Sequence, residues 1–188
     1  MIFLRGLYPT CSIVVYTNGI LLPQRREELL PVFNQYHIRL FISVYPNMKL
    51  DFRKLVEGFE LSTLMNESSF MNTCLHRNPD FDQDRAFRNC NTGSSWKCRF
   101  LYNYHLYPCS MLPNLRFLID YYPELKNTPL GQINIEDSGI DIRTHSIDEI
   151  EAFLRSSVPA CKFCNVDHAH HFRPWGMTDY DIKEWVED

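Results

Sequence analysis

Five cysteines constrain this chain more than any other feature: Cys90, Cys98 and Cys109 in one run, and a Cys-x-x-Cys pair, Cys161 and Cys164, well downstream. A Cys-x-x-Cys pair lets two thiolates bind one metal through a single tight turn, and distant cysteines then close the site across the fold. The spacing predicts one iron-sulfur or zinc site tying separate segments together. The chain holds seven cysteines in all. An odd number, with no secretory signal, makes a disulfide framework the weaker expectation, because cytosolic thiols are kept reduced. Cys11 and Cys74 fall outside the pattern, and Cys11, just before an apolar run, is expected to be a small core hydrophobe.

The rest of the composition is that of a soluble globular chain. Its 188 residues are 45% hydrophobic and 22% charged, with a formal net charge of -4, which fits one domain, or one domain plus an appendage. Mild acidity without a Lys/Arg-rich run argues against nucleic acid as a partner. Apolar runs such as Ile13-Val14-Val15-Tyr16 are too short to span a bilayer, and residues 1–7 lack the pattern of a signal peptide, so the cytoplasm is the expected location and no membrane partner is expected.

Residues 2–7 read as a helix tail, followed by a Tyr8-Pro9-Thr10 turn and a strand at 13–16. That strand is apolar on successive residues, the mark of a strand covered on both faces in a parallel α/β sheet. Thr17-Asn18-Gly19 ends it. A helix follows at 26–36 with Leu29, Leu30 and Phe33 on one side, although Pro31 costs an interior helix about 3 kcal/mol and is expected to kink it or move its start. A second buried strand at 38–45 stops at Pro46, and a helix at 51–59 turns Leu55, Val56 and Phe59 inward. Strand, helix, strand, helix is the rhythm of a parallel sheet with right-handed crossovers.

After residue 65 that rhythm gives way to Asn, Ser, Asp, aromatics and cysteines, the composition of a loop-rich segment stapled by metal. A short helix is expected at 115–122 within an otherwise irregular 114–145. Ser146-Ile147-Asp148-Glu149 is a capping box opening a helix whose Ile147, Ile150, Phe153 and Leu154 share a face. A last helix is expected over 178–186, packing Tyr180 or Trp185. Trp96, Trp175 and Trp185 read as packing. Asp80, Asp82 and Asp84 lack the Gly and Glu of a calcium loop and read as a solvated loop. His168, His170 and His171 read as exposed or supporting groups rather than a second metal site. A thioredoxin-like role for Cys161-Lys162-Phe163-Cys164 is disfavoured, since no strand leads into it.

Leu7-Tyr8-Pro9, the segment Val15-Tyr16-Thr17-Asn18-Gly19-Ile20-Leu21-Leu22 and Ile42-Ser43-Val44-Tyr45-Pro46 resemble the middle of a radical S-adenosylmethionine (SAM) domain. Phe87-Arg88-Asn89-Cys90, Cys98, Leu106-Tyr107-Pro108-Cys109, Gly139-Ile140-Asp141-Ile142 and Ala160-Cys161-Lys162-Phe163-Cys164, with Pro174-Trp175 behind, resemble the C-terminal auxiliary-cluster region of one group of these proteins. The resemblance implies an α/β fold: a partial, TIM-like radical SAM barrel with parallel strands over 1–66, and a loop-rich, metal-stapled SPASM- or twitch-like module over 67–188. It implies an auxiliary 4Fe-4S cluster with ligands drawn from Cys90, Cys98, Cys109, Cys161 and Cys164. Five thiols exceed the usual four, so one is surplus, and Cys90 is the first to be set aside. Tyr102-Asn103-Tyr104-His105 stands where a turn with Gly is commoner in the family, which bears on the hairpin and not on the ligands.

Asn18 and Ser43, at strand ends, could face the adenosine of SAM; the plainer reading makes Asn18 a turn former before Gly19 and Ser43 a hydrogen-bonded core hydroxyl. No Cys-x-x-x-Cys-x-x-Cys loop occurs in the chain, so alone it is not expected to cleave SAM. The match begins near the second or third βα unit, as in a truncated start, a degenerate gene, or a fragment that works with a complementing chain or as an oligomer. The implied reaction class is radical-initiated modification of an unknown small molecule, peptide or glycan. The alternative from another class is a non-catalytic interaction module stapled by zinc.

Overall fold

The computed structural model describes the backbone of residues 1–188 apart from 47, 67, 68, 72–74, 170 and 171, and side chains there except at 66, 69–71, 168, 169, 172 and 173. The chain divides into two compact units: Met1–Phe70 with Pro174–Gly176, and Met71–Arg173 with Met177–Asp188. The class is mixed α/β with a small parallel sheet.

In the first unit helix α1 (Ile2–Leu7) precedes strand β1 (Val14–Thr17), helix α2 (Leu22–Gln35), strand β2 (Arg39–Val44), the single turn α3 (Phe52–Leu55) and strand β3 (Ser62–Asn66). The three strands form one parallel sheet in the order β1-β2-β3, with Val14 opposite Arg39 and Leu40 opposite Ser62. No closed barrel forms among the described residues. β3 lies beyond what the apolar rhythm revealed, because Ser62-Thr63-Leu64-Met65-Asn66 carries too few apolar residues to stand out.

Alternation along β2 locates the core: Leu40 and Ile42 are fully buried against Leu30 and Phe33 of α2 and Phe52 of α3. Each such side chain contributes roughly 1.5–3 kcal/mol on burial. The opposite face is not covered in the same way. There Tyr16, 69% exposed, lies 5.0 Å from the Phe41 ring, and the Arg39 guanidinium sits over that ring at 5.2 Å. The expectation of a strand covered on both faces is therefore corrected for β1, an edge strand with one open face.

α2 begins earlier than its apolar pattern suggested, with Pro23 in its first turn, where a proline's missing N–H costs nothing, and it runs through Pro31. Burial of Leu30 and Phe33 offsets the cost of that interior proline. Gly19 makes the β1–α2 turn possible. Its φ is +72°, and a Cβ there would stand 2.7 Å from the Phe52 ring and 3.0 Å from Ile42. α1 buries no residue; instead Arg5 donates to the carbonyls of Pro9, Cys11, Tyr36 and His37.

Two short strands, Ser69–Met71 (β4) and Phe172–Pro174 (β9), lie where the chain passes between units. The second unit contains β5 (Leu75–His76), α4 (Gln83–Asn89), a π-helical turn at Asn91–Ser95, β6 (Phe100–Tyr102), β7 (His105–Tyr107), α5 (Met111–Tyr121), β8 (Ile140–Asp141), α6 (Ile147–Leu154), a 3-10 turn at Pro159–Phe163, α7 (Val166–Ala169) and β10 (Val186–Glu187). β6, β7 and β8 form an antiparallel sheet, and β10 pairs in parallel with β5. The β6–β7 hairpin closes without glycine, because Asn103 and Tyr104 both adopt positive φ, 45° and 64°. The core is assembled from Leu75, Leu115, Leu125, Leu130, Phe163 and Val186, beside Tyr107, Leu112, Val158 and Ala160.

Several expectations here are corrected. The 178–186 segment is not an α-helix but a 3-10 turn at Ile182–Glu184 followed by β10. The Glu184 carboxylate accepts from the Thr178 hydroxyl and the Asp179 N–H, closing a loop that competes with helical pairing. Val186, at 1% exposure, is the residue that packs, while Tyr180, Trp185 and Trp96 are exposed. α5 starts at Met111, earlier than expected, and α6 keeps its capping box but leaves Ile147 exposed. Asp82 and Asp84 are engaged: Asp82 caps α4, and Asp84 accepts from Ser157.

Candidate functional site

Four of the five cysteines line one cavity in the second unit. Cys90 sits where α4 ends and the π-helical turn begins, and its Sγ accepts the Gly93 N–H at 3.3 Å. Cys109 lies between β7 and α5, delivered there by the β6–β7 hairpin. The backbone N–H groups of Leu112 and Met111 donate to its sulfur. Cys161 lies in the Pro159–Phe163 turn and Cys164 closes it, with the Cys164 N–H bonded to the Cys161 carbonyl at 3.2 Å and a bridge from Cys164 to Leu75. Three segments thus bring four cysteines to line one space. Its other walls are almost wholly apolar, including Leu75, Ala86, Phe87, Leu112 and Val166, and its volume is about 40 Å³.

Cys98 is different. It is exposed, its N–H bonds to the Thr92 carbonyl, and it is not among the residues lining the cavity. The resemblance had left Cys90 as the first to set aside; of the five, Cys98 is the one that does not line the cavity. Cys11 is exposed, which corrects its reading as a core hydrophobe, and Cys74 lies outside the described residues. The six described cysteines form no disulfide.

Burial dominates the chemistry of these thiols. It pushes Cys109 up to about 11, with the neighbouring Cys90 and Cys161 sulfurs adding to the shift and the two N–H donors opposing it. Cys161 is raised too, first by burial and then by Cys90 and Asp84. At neutral pH Cys109 is a protonated thiol, and a metal entering here would displace its proton. Among the described residues, no three His, Cys, Asp or Glu side chains already stand close enough to hold a metal ion. The donor set of thiols in an apolar wall, with N–H groups aimed at sulfur, is of the kind that suits zinc or an iron-sulfur cluster.

Arg99 ties this site together and was not singled out by the sequence. Its guanidinium donates to the carbonyls of Gly93 at 2.7 Å, Pro108 at 3.0 Å and Leu154 at 2.8 Å. One cation thus joins the turn after Cys90, the residue before Cys109 and the end of the helix leading toward Cys161. Gln83, Ser157 and Asp84 form a second link, with Gln83 donating to the Ser157 oxygen at 2.9 Å. The signal for Arg99 was a charge two residues after Lys97 in a cysteine run, which reads no differently from a solvated arginine.

In the first unit Asn18 is exposed, and its Oδ1 accepts the Ile20 N–H at 3.2 Å, as a turn former does. Ser43 is half-buried near the end of β2, opposite Met65 of β3. The His168 side chain and residues 170 and 171 lie outside the described set. No helix among the described residues is long and apolar enough to cross a membrane. No protein-family model matches the chain, and neither does any curated protein.

Proposed function

We propose that the second unit holds one metal centre through Cys90, Cys109, Cys161 and Cys164, and that this centre is an auxiliary 4Fe-4S cluster in a radical SAM-type protein. The observation that carries the first part is the placing of four cysteines from three segments around one apolar cavity. The second part rests on the ordered likeness around Leu106-Tyr107-Pro108-Cys109 and Ala160-Cys161-Lys162-Phe163-Cys164. Such a centre, when bound, anchors substrate or passes electrons. Gly93, Met111 and Leu112 supply N–H groups that favour the thiolate form, and the apolar walls keep bulk water away.

The first unit is proposed as part of a TIM-like radical SAM barrel, with Asn18 and Ser43 at its strand ends facing SAM when the chain is complemented. No Cys-x-x-x-Cys-x-x-Cys loop occurs in these 188 residues, so SAM cleavage is assigned to a triple-cysteine loop outside them. The substrate is a small molecule, peptide or glycan, the compartment is the reducing cytoplasm, and neither nucleic acid nor membrane is a partner. A second reading is favoured by the all-thiol donor set itself, which serves zinc equally well in a structural interaction module. Iron, sulfide and zinc analysis after anaerobic purification separates the two. A brown chain with thiolate-to-iron absorption supports the cluster, and a colourless zinc protein refutes it.

A further inference from the structure

The cysteine cavity shares three of its wall residues, Leu75, Met111 and Leu115, with a second and larger cleft of about 510 Å³. That volume lies in the range of small-molecule pockets, roughly 300–1,000 Å³. One wall comes from α5, with Phe117 and Tyr121 exposed to 57% and 61%. Tyr180 and Trp185 of the C-terminal segment, 66% and 46% exposed, make another.

These rings are held in place rather than left loose. The Glu184 carboxylate secures Thr178 and Asp179, the Tyr180 N–H donates to the Thr178 oxygen at 3.0 Å, and the Tyr122 hydroxyl donates to the Tyr180 carbonyl at 3.1 Å. Tyr180 is fixed at φ +59°, a conformation unfavourable for a residue with a Cβ. The Trp185 indole bonds Tyr122, whose ring packs edge-on against Tyr121 at 4.8 Å. The segment adopts a costly backbone and still leaves Tyr180 and Trp185 exposed.

The lining decides the class of ligand. It contains no charged side chain, so a phosphate, carboxylate or ammonium group would be buried without a counter-charge. Its polar side chains are Ser110, Asn114, Thr178 and the tyrosine hydroxyls, sparse beside the aromatic area, so a hydroxyl-rich ring would lose more water bonds than it regained. A flat ring meets the aromatic faces by offset or edge-to-face stacking and needs only one or two polar partners. We propose that this cleft is a binding pocket for a small, uncharged, planar aromatic molecule, set beside the cysteine cavity through Leu75, Met111 and Leu115. Its placement next to a metal centre rests on the function proposed above; the pocket itself does not.

The test is a titration of the full chain, metal-free and metal-loaded, with p-cresol and with cyclohexanol, following the Trp185 indole signal by NMR and assigning it with Trp185→Phe. The expected result is saturable movement with p-cresol, at least tenfold tighter than with cyclohexanol, and at least fivefold weaker in Tyr121→Leu and Tyr180→Ala variants of unchanged melting temperature. Equal responses to both probes, no saturation, or unaffected variants would overturn the pocket. In the metal-loaded chain p-cresol should also shift the visible spectrum of the centre; binding with a silent spectrum would overturn its placement beside that centre. A chain that binds p-cresol but takes up no metal would refute the proposed function and leave the pocket standing.

Discussion

Arg99 shows how much of a thiol site can depend on a residue that bears no sulfur. Its three acceptors flank Cys90, Cys109 and the approach to Cys161, and a hydrogen bond to a charged group contributes roughly 1.5–3 kcal/mol. Arg99→Ala should destabilise the second unit by about 3 kcal/mol in urea unfolding and lower bound metal, with Arg99→Lys intermediate, because an ammonium cannot span three carbonyls as a guanidinium does. Wild-type stability and metal content in Arg99→Ala would sink this account. The same scale explains what the sequence could and could not reveal. Cysteine identity and spacing were legible. Which of the five line one cavity was not, since the π-helical turn after Cys90 and the hairpin before Cys109 help place those residues, and neither leaves a residue pattern.

Among the elements, the α6 capping box was fully legible because it is a contact between near neighbours: the Ser146 oxygen accepts the Glu149 N–H and the Glu149 carboxylate accepts the Ser146 N–H at 2.8 Å. Ser146→Ala should cost about 1 kcal/mol. The Glu149 carboxyl lies below its ordinary 4.5, first because of the Ser146 backbone N–H. A depressed carboxyl contributes stability that is present above its unfolded value and lost as pH falls through the folded one. The advantage of wild type over Glu149→Gln in thermal melts should hold at neutral pH and shrink as pH drops below 4.5. An advantage independent of pH would contradict the carboxylate's role. Elements decided by longer-range packing were harder to read. The 178–186 segment has helical spacing, yet Glu184 bonds backward to Thr178 and Asp179, and Val186 pairs with Leu75 across the unit. β3 lacked an apolar signature and takes its strand form from pairing with β2.

For the molecule as a whole, the parallel rhythm of the first unit was legible in Val14, Val15, Leu40 and Ile42, while the open face of its sheet was not, because a sequence shows which residues are apolar and not what covers them. Tyr16 on edge strand β1, together with Phe3, Leu7 and Leu21 elsewhere on that unit, is more than half exposed. Exposed edges and apolar patches of this kind promote association. Sedimentation should show association that grows with concentration and is reduced by Tyr16→Lys; a monomer at every concentration would contradict this. The central claim is that Cys90, Cys109, Cys161 and Cys164, and not Cys98, hold one metal centre. Metal content across single Cys→Ser variants of the full chain, purified anaerobically, tests it most directly. Cys98→Ser should keep the wild-type metal content and visible spectrum, while each of the other four should lose most of both. Loss in Cys98→Ser with retention in Cys90→Ser would contradict the account.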